Sequence, residues 1–196
     1  MRSRAAASIL SDAGFTNIAS MQGGIRAWEG LVAAGPPEAG MAFFGDAAKP
    51  DELAVFAWML EEGSRQFYMR LDDYLKDEEA RQLFQSLAKA EESHEKTLAE
   101  LYKSFSGGSA IGDKPMTEKG EFMEGGVRVD ESLLWARDKD VTAILEYAIS
   151  LEANAYDLYI KMGRRFEGDA QKVFSLLGDE EKKHLERLAG LLEKKV

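Results

Sequence analysis

The chain has no cysteine among its 196 residues. That absence excludes disulfides, iron–sulfur clusters, rubredoxin-type iron sites and any thiol nucleophile. Histidine is almost as scarce, so imidazole chemistry can sit at only two positions, 94 and 184. Long apolar runs are missing too. No stretch approaches the roughly 18 residues of a membrane-spanning helix, and no N-terminal segment has a signal-peptide core, so a cytoplasmic protein is expected. Positive charge is in deficit, with a formal net charge of −10. The deficit is local: in residues 1–49, Arg2, Arg4, Arg26 and Lys49 balance Asp12, Glu29, Glu38 and Asp46. The whole excess belongs to residues 50–196, a surface to which nucleic acid and anionic membrane are poor partners.

What is present is organised around the two histidines. Each lies three residues after a glutamate, in Glu91-Glu92-Ser93-His94 and Glu181-Lys182-Lys183-His184. Residues i and i+3 of a helix share a face, so each pair can close on one metal ion. Both pairs fall on apolar stripes: Phe84, Leu87, Ala88, Leu98, Leu101 for the first, and Phe174, Leu177, Leu188, Leu191 for the second. Two further glutamates interrupt apolar stripes. Glu61 lies among Leu53, Ala57, Leu60, Ser64, Tyr68 and Leu71, and Glu152 among Leu145, Ala148, Leu151, Ala155, Tyr159 and Met162. Ionised glutamates rarely enter a core unless paired or bound to metal. Glu62 competes with Glu61 but points 100° away around the helix. Glu92 and Glu180 read as solvated neighbours.

The helical period predicts four long helices, at about 51–75, 78–105, 139–166 and 170–194, with Pro50 and Asp51 opening the first and Asp77 capping the second. A short helical piece is expected at 131–137, inside a long connection marked by Gly107-Gly108, Pro115 and Gly125-Gly126. The two hairpins repeat internally. Leu60-Glu61 and Phe67-Tyr68 correspond to Leu151-Glu152 and Leu158-Tyr159, while Phe84, Leu87, Glu91 and His94 correspond to Phe174, Leu177, Glu181 and His184. The repeat predicts a pseudo-twofold bundle with one Glu and one Glu-x-x-His from each half. Tyr68 and Tyr159 sit two turns beyond Glu61 and Glu152 on the same face. They read either as core aromatics with a satisfied hydroxyl or as groups steadying a ligand or an oxygen species.

With these residues in register, residues 50–196 resemble a rubrerythrin-type ferritin-like protein. The di-iron proteins of that fold use one Glu from each of two helices and a Glu-x-x-His from each of the other two. The resemblance implies an all-α four-helix bundle with a long crossover between helices 2 and 3. It implies a di-iron site held by Glu61, Glu91, His94, Glu152, Glu181 and His184, with Glu91 and Glu181 as bridges. Manganese or zinc could substitute for iron in the isolated protein. Imidazole and carboxylate suit iron or manganese, and four carboxylates neutralise two divalent ions. The implied activity is oxidoreductase chemistry on hydrogen peroxide in oxidative-stress defence, with electrons from a separate donor protein and a homodimeric assembly. Dioxygen is the other candidate oxidant. Peroxide-reducing members carry a further glutamate at the position of Ala155, and a rubredoxin-type donor that a cysteine-free chain cannot supply. The alternatives are a ferroxidase-like iron-sequestering protein and a sulfur-linked accessory protein.

The last alternative comes from the N-terminus. Arg2-Ser3-Arg4-Ala5-Ala6-Ala7, Ala13-Gly14-Phe15 and Gly23-Gly24-Ile25-Arg26-Ala27-Trp28 resemble the C-terminal third of a rhodanese domain. Residues 1–36 are read as that small α/β fragment and 37–49 as a linker. The persulfide-carrying cysteine of that family has no counterpart here, so no sulfurtransferase activity is expected.

Overall fold

The computed structural model describes residues 49–113 and 121–196. The rhodanese-like stretch and the linker up to residue 48 lie outside the described residues.

Helix α1 (Pro50–Leu71) starts with a proline where a missing N–H costs nothing, and the Lys49 N–H donates to the Glu52 carboxylate at 3.1 Å. It stops four residues short of the expected end. Asp72 takes two guanidinium hydrogen bonds from Arg81, both 3.0 Å, and the Tyr74 N–H tightens onto the Leu71 carbonyl at 3.0 Å. Leu75 beyond the turn is still buried, which is why the apolar period overran the helix. Helix α2 (Glu78–Phe105) is capped as expected: Asp77 accepts the Ala80 N–H at 2.9 Å.

The crossover holds structure that the periodicity did not reveal. After a 3-10 turn at Ile111–Asp113, strand β1 (Phe122–Met123) pairs antiparallel with β2 (Val127–Arg128), Phe122 opposite Arg128 and Met123 opposite Val127. The turn between them, Glu124–Gly126, has both glycines at positive φ, 78° and 69°, a conformation that L side chains disfavour. Helix α3 (Val129–Ala136) follows and packs on α1. Helix α4 (Val141–Arg165) begins at Asp140, which accepts the Ala143 N–H at 2.8 Å, and α5 (Gly168–Lys195) completes the bundle.

The main packing is α1 on α2 and α4 on α5, with α2 against α5 joining the hairpins. This is the expected all-α ferritin-like bundle. Its core divides into two apolar plugs. One contains Phe67, Leu71, Phe84, Leu87, Leu145 and Leu188, and the other Leu53, Leu98, Leu101, Leu158, Phe174 and Leu177. Along every long helix, the inward glutamate or histidine lies between the residues given to one plug and those given to the other. The site therefore occupies the middle of the bundle. No helix among the described residues is long and apolar enough to cross a membrane.

Candidate metal centre

All six residues singled out by the repeat are buried and meet in one place. Helix α1 brings Glu61, α2 brings Glu91 and His94, α4 brings Glu152, and α5 brings Glu181 and His184. Both histidines turn Nδ1 toward the carboxylates. Around His94 Nδ1 lie Glu91 Oε2 at 2.9 Å, Glu181 Oε1 at 3.1 Å and Glu61 Oε2 at 3.2 Å. Around His184 Nδ1 lie Glu152 Oε2 at 3.1 Å, Glu181 Oε2 at 3.3 Å and Glu91 Oε1 at 3.6 Å. Glu61 and Glu152 each serve one histidine. Glu91 and Glu181 each turn one oxygen to either histidine, and the two imidazoles stack with centroids 5.3 Å apart.

The tyrosine hydroxyls reach two of these carboxylates. The Tyr68 hydroxyl on α1 donates to Glu152 Oε1 on α4, and the Tyr159 hydroxyl on α4 donates to Glu61 Oε1 on α1. Each hydroxyl fixes one oxygen of a carboxylate whose other oxygen faces a histidine. Of the neighbouring acids, Glu92 is exposed, as expected. Glu62 is buried, which the helical period did not predict. Its partners separate it from the site: Arg65 Nε donates to Glu62 at 2.8 Å and to Glu95 at 2.9 Å, and Gln66 donates to Glu62 at 2.9 Å.

Burial opposes ionisation of all four central carboxylates, and the neighbours decide the outcome. For Glu152, hydrogen bonds from His184 and Tyr68 overcome burial and hold it at about 2. Glu61 is lowered the same way, its burial outweighed by His94 and Tyr159. The two shared carboxylates go the other way. Burial and the charge of Glu152 push Glu181 up to about 7; burial, Glu152 and Glu61 push Glu91 well up. Burial would lower the histidines, but the carboxylates prevail: His184 rises to about 11, and His94 is raised too.

The shared carboxylates are thus the ones short of hydrogen bonds, the nearest cations being two histidines that all four carboxylates share. Both oxygens of Glu91 and Oε1 of Glu181 are buried without an aligned hydrogen bond. A buried charge without a partner costs several kcal/mol. Cations between the two histidines would satisfy these oxygens, and a nitrogen-and-carboxylate donor set suits a first-row divalent metal. The two groupings able to hold an ion are Glu61, Glu91, His94, Glu181 and Glu91, Glu152, His184. The residues present therefore fit a metal pair.

A metal ligand must be deprotonated, so binding displaces protons. At pH 7 both imidazoles, raised by the surrounding carboxylates, are protonated, and Glu181, at about 7, is partly so. Loading two divalent ions should therefore release at least two protons. Affinity should rise with pH, because protons compete for the same nitrogens. Calorimetry of the metal-free chain in buffers of different ionisation enthalpy measures the release, and a value below one proton per pair would contradict the site.

Residues 52–136 match the rubrerythrin family model. The matched span carries Glu61, Glu91 and His94, covers less than half of the chain, and ends before Glu152, Glu181 and His184. It stands for a ferritin-like di-iron domain, so metal binding is implied for it, and the buried Glu/His clusters are able to provide it. The match does not reach residues 1–36. A solved structure of a hypothetical protein from Pyrococcus furiosus is similar over 81% of this chain and 95% of its own, with a TM-score of 0.60 at 22% identity, a likeness of fold. No curated protein matches the chain.

One buried acid beside the site, within reach of the charges of its four carboxylates, is not marked by any sequence pattern. Glu124, at the tip of the crossover hairpin, is only 4% exposed and accepts a hydrogen bond from the Ser64 hydroxyl. It belongs to no periodic segment. The available signal was an acid directly before Gly125-Gly126, bracketed by Phe122, Met123 and Val127.

Proposed function

We propose that this chain is a di-iron oxidoreductase that reduces hydrogen peroxide. One metal would be held by Glu61 and His94, the other by Glu152 and His184, with Glu91 and Glu181 shared. The observation that carries the reading is the pair of shared carboxylates, each with one oxygen toward either histidine. Bound there, two irons would supply two electrons, one from each, the number consumed in cleaving the O–O bond of hydrogen peroxide.

The chain's own residues prepare that chemistry. Tyr68 and Tyr159 fix the outer oxygens of Glu152 and Glu61, so those carboxylates keep their orientation without rearranging. The apolar plugs on either side keep bulk water out and the local dielectric low. Overall, one hydrogen peroxide, two electrons and two protons give two waters, and a separate donor protein would restore the electrons.

The choice of oxidant rests on electron count and near-symmetry. Full reduction of dioxygen takes four electrons, and a cysteine-free chain has no cluster to provide the other two. The six residues and two tyrosines are arranged nearly alike about both histidines, which suits a substrate whose bond breaks evenly. Iron-loaded protein, reduced anaerobically, should be oxidised faster by hydrogen peroxide than by an equal concentration of dioxygen. Stopped-flow absorbance tests this. Equal or faster oxidation by dioxygen would hand the function to iron oxidation and storage.

A further inference from the structure

Glu124 has no counterpart in the internal repeat, yet the fold goes to some lengths to bury it. Its hairpin lies between α1 and α4, with β1 and the turn against α1 and the turn also against α4. On the α1 side the approach is so close that a Cβ on Gly63 would lie 2.6 Å from the Phe122 carbonyl carbon and nearer still to its oxygen. On the α4 side a Cβ on Gly125 would meet Asn154 Nδ2 at 2.5 Å. Both contacts are next to the centre. Ser64, which donates to Glu124, is one turn beyond Glu61 on the inward face of α1, and Asn154 is two residues beyond Glu152.

The chemistry of this position is unusual. Among the described residues no lysine, arginine or histidine forms an ion pair with Glu124, and its one hydrogen-bond partner is a neutral hydroxyl. Burial and the charges of Glu61, Glu91, Glu152 and Glu181 all press against its ionisation. A carboxylate so placed lowers its free energy chiefly by gaining a cation. Among the described residues, the grouping beside it that could supply one is the metal pair. Charge counting says when it is needed. Four carboxylates neutralise two divalent ions, but two trivalent ions leave an excess of two positive charges inside an apolar bundle.

We infer that Glu124 is a fifth carboxylate of the metal centre, delivered by the crossover between α1 and α4, which holds the pair when its charge exceeds that of two divalent ions. The inference rests on the metal-centre reading above. It implies that the crossover is part of the site rather than a connection alone, and that the centre favours its oxidised form.

The test uses redox-inert ions, so that binding is read without turnover. Glu124→Gln keeps the shape of the side chain and an acceptor for Ser64, and a far-UV spectrum and melting curve of the metal-free variant will show that it folds. Chelator competition is then measured for zinc(II) and for gallium(III), the latter presented as its nitrilotriacetate complex. The full-length chain should bind two of either ion. Glu124→Gln should change zinc affinity by less than threefold and weaken gallium affinity at least tenfold. Equal losses for both ions, or no loss for gallium, would overturn the role of Glu124 and leave the metal centre standing. Failure of the unsubstituted chain to bind a zinc pair would overturn both.

Discussion

Replacing Glu91 and Glu181 together with alanine should remove both metal ions, and elemental analysis should find near-zero metal in a folded protein. These two residues provide three of the oxygens around the histidines that lie within 3.3 Å of an Nδ1 and belong to shared carboxylates. Without them each histidine keeps one carboxylate, Glu61 or Glu152, too few donors for tight binding. Retention of two ions would sink the assignment. The milder Glu91→Gln carries a second expectation of opposite sign. In the metal-free chain Glu91 is buried with neither oxygen hydrogen-bonded. Its folded pKa lies above the unfolded one, so whatever stability it contributes is present in acid and lost as pH rises. Removing its charge at constant volume should therefore raise the metal-free melting temperature at pH 8, by the equivalent of about 1–3 kcal/mol. The same substitution should lower that of the metal-loaded protein. A metal-free variant less stable than the parent would mean that the carboxylate serves its 2.9 Å ion pair with His94 rather than metal.

Gly63→Ala should be among the most damaging single substitutions in the chain. In an exposed helix, alanine in place of glycine gains about 1 kcal/mol. At position 63 the sign reverses, because the added methyl would overlap the backbone of Phe122 and lie 3.1 Å from the Met123 Cα. Backbone cannot turn aside as a long side chain can, so the hairpin must lift away from α1 and take Glu124 with it. A loss of about 3 kcal/mol or more is expected in urea unfolding. Gly190→Ala is the control. It lies in α5 with nothing within 4 Å of the added carbon, and should be neutral or stabilising. Equal stability of the two variants would show that the hairpin is not seated as described.

The parts of this protein that could be read from its sequence are those that repeat along a helix. Glu61 and Glu152 could be read because an acid on an apolar stripe conflicts with the 3.6-residue period, and His94 and His184 because each closes a turn with such an acid. The hairpin at 122–128 was invisible for the converse reason: two-residue strands are too short to show alternation. Glu124 lay inside it, so no pattern marked that acid as buried. Leu75 misled in a different way. It continues the stripe of α1 but reaches the core from a turn held by Asp72 and Arg81, a contact between segments that no local pattern records. Glu62 shows the limit of the period itself. Its burial depends on Arg65, Gln66 and Glu95 closing over it.

The crossed tyrosines make each half of the bundle a custodian of the other. Tyr68 rises from the hairpin that carries Glu61 yet orients Glu152, and Tyr159 does the reverse. An α1–α2 piece on its own would keep Glu61, Glu91 and His94 but lose the hydroxyl that fixes Glu61. Two copies of that piece, facing each other about the axis of the repeat, would restore the full reciprocal set. The chain is in this sense a symmetric pair written into one polypeptide, and Glu124, carried on the join, is the buried acid that an unlinked pair would lack.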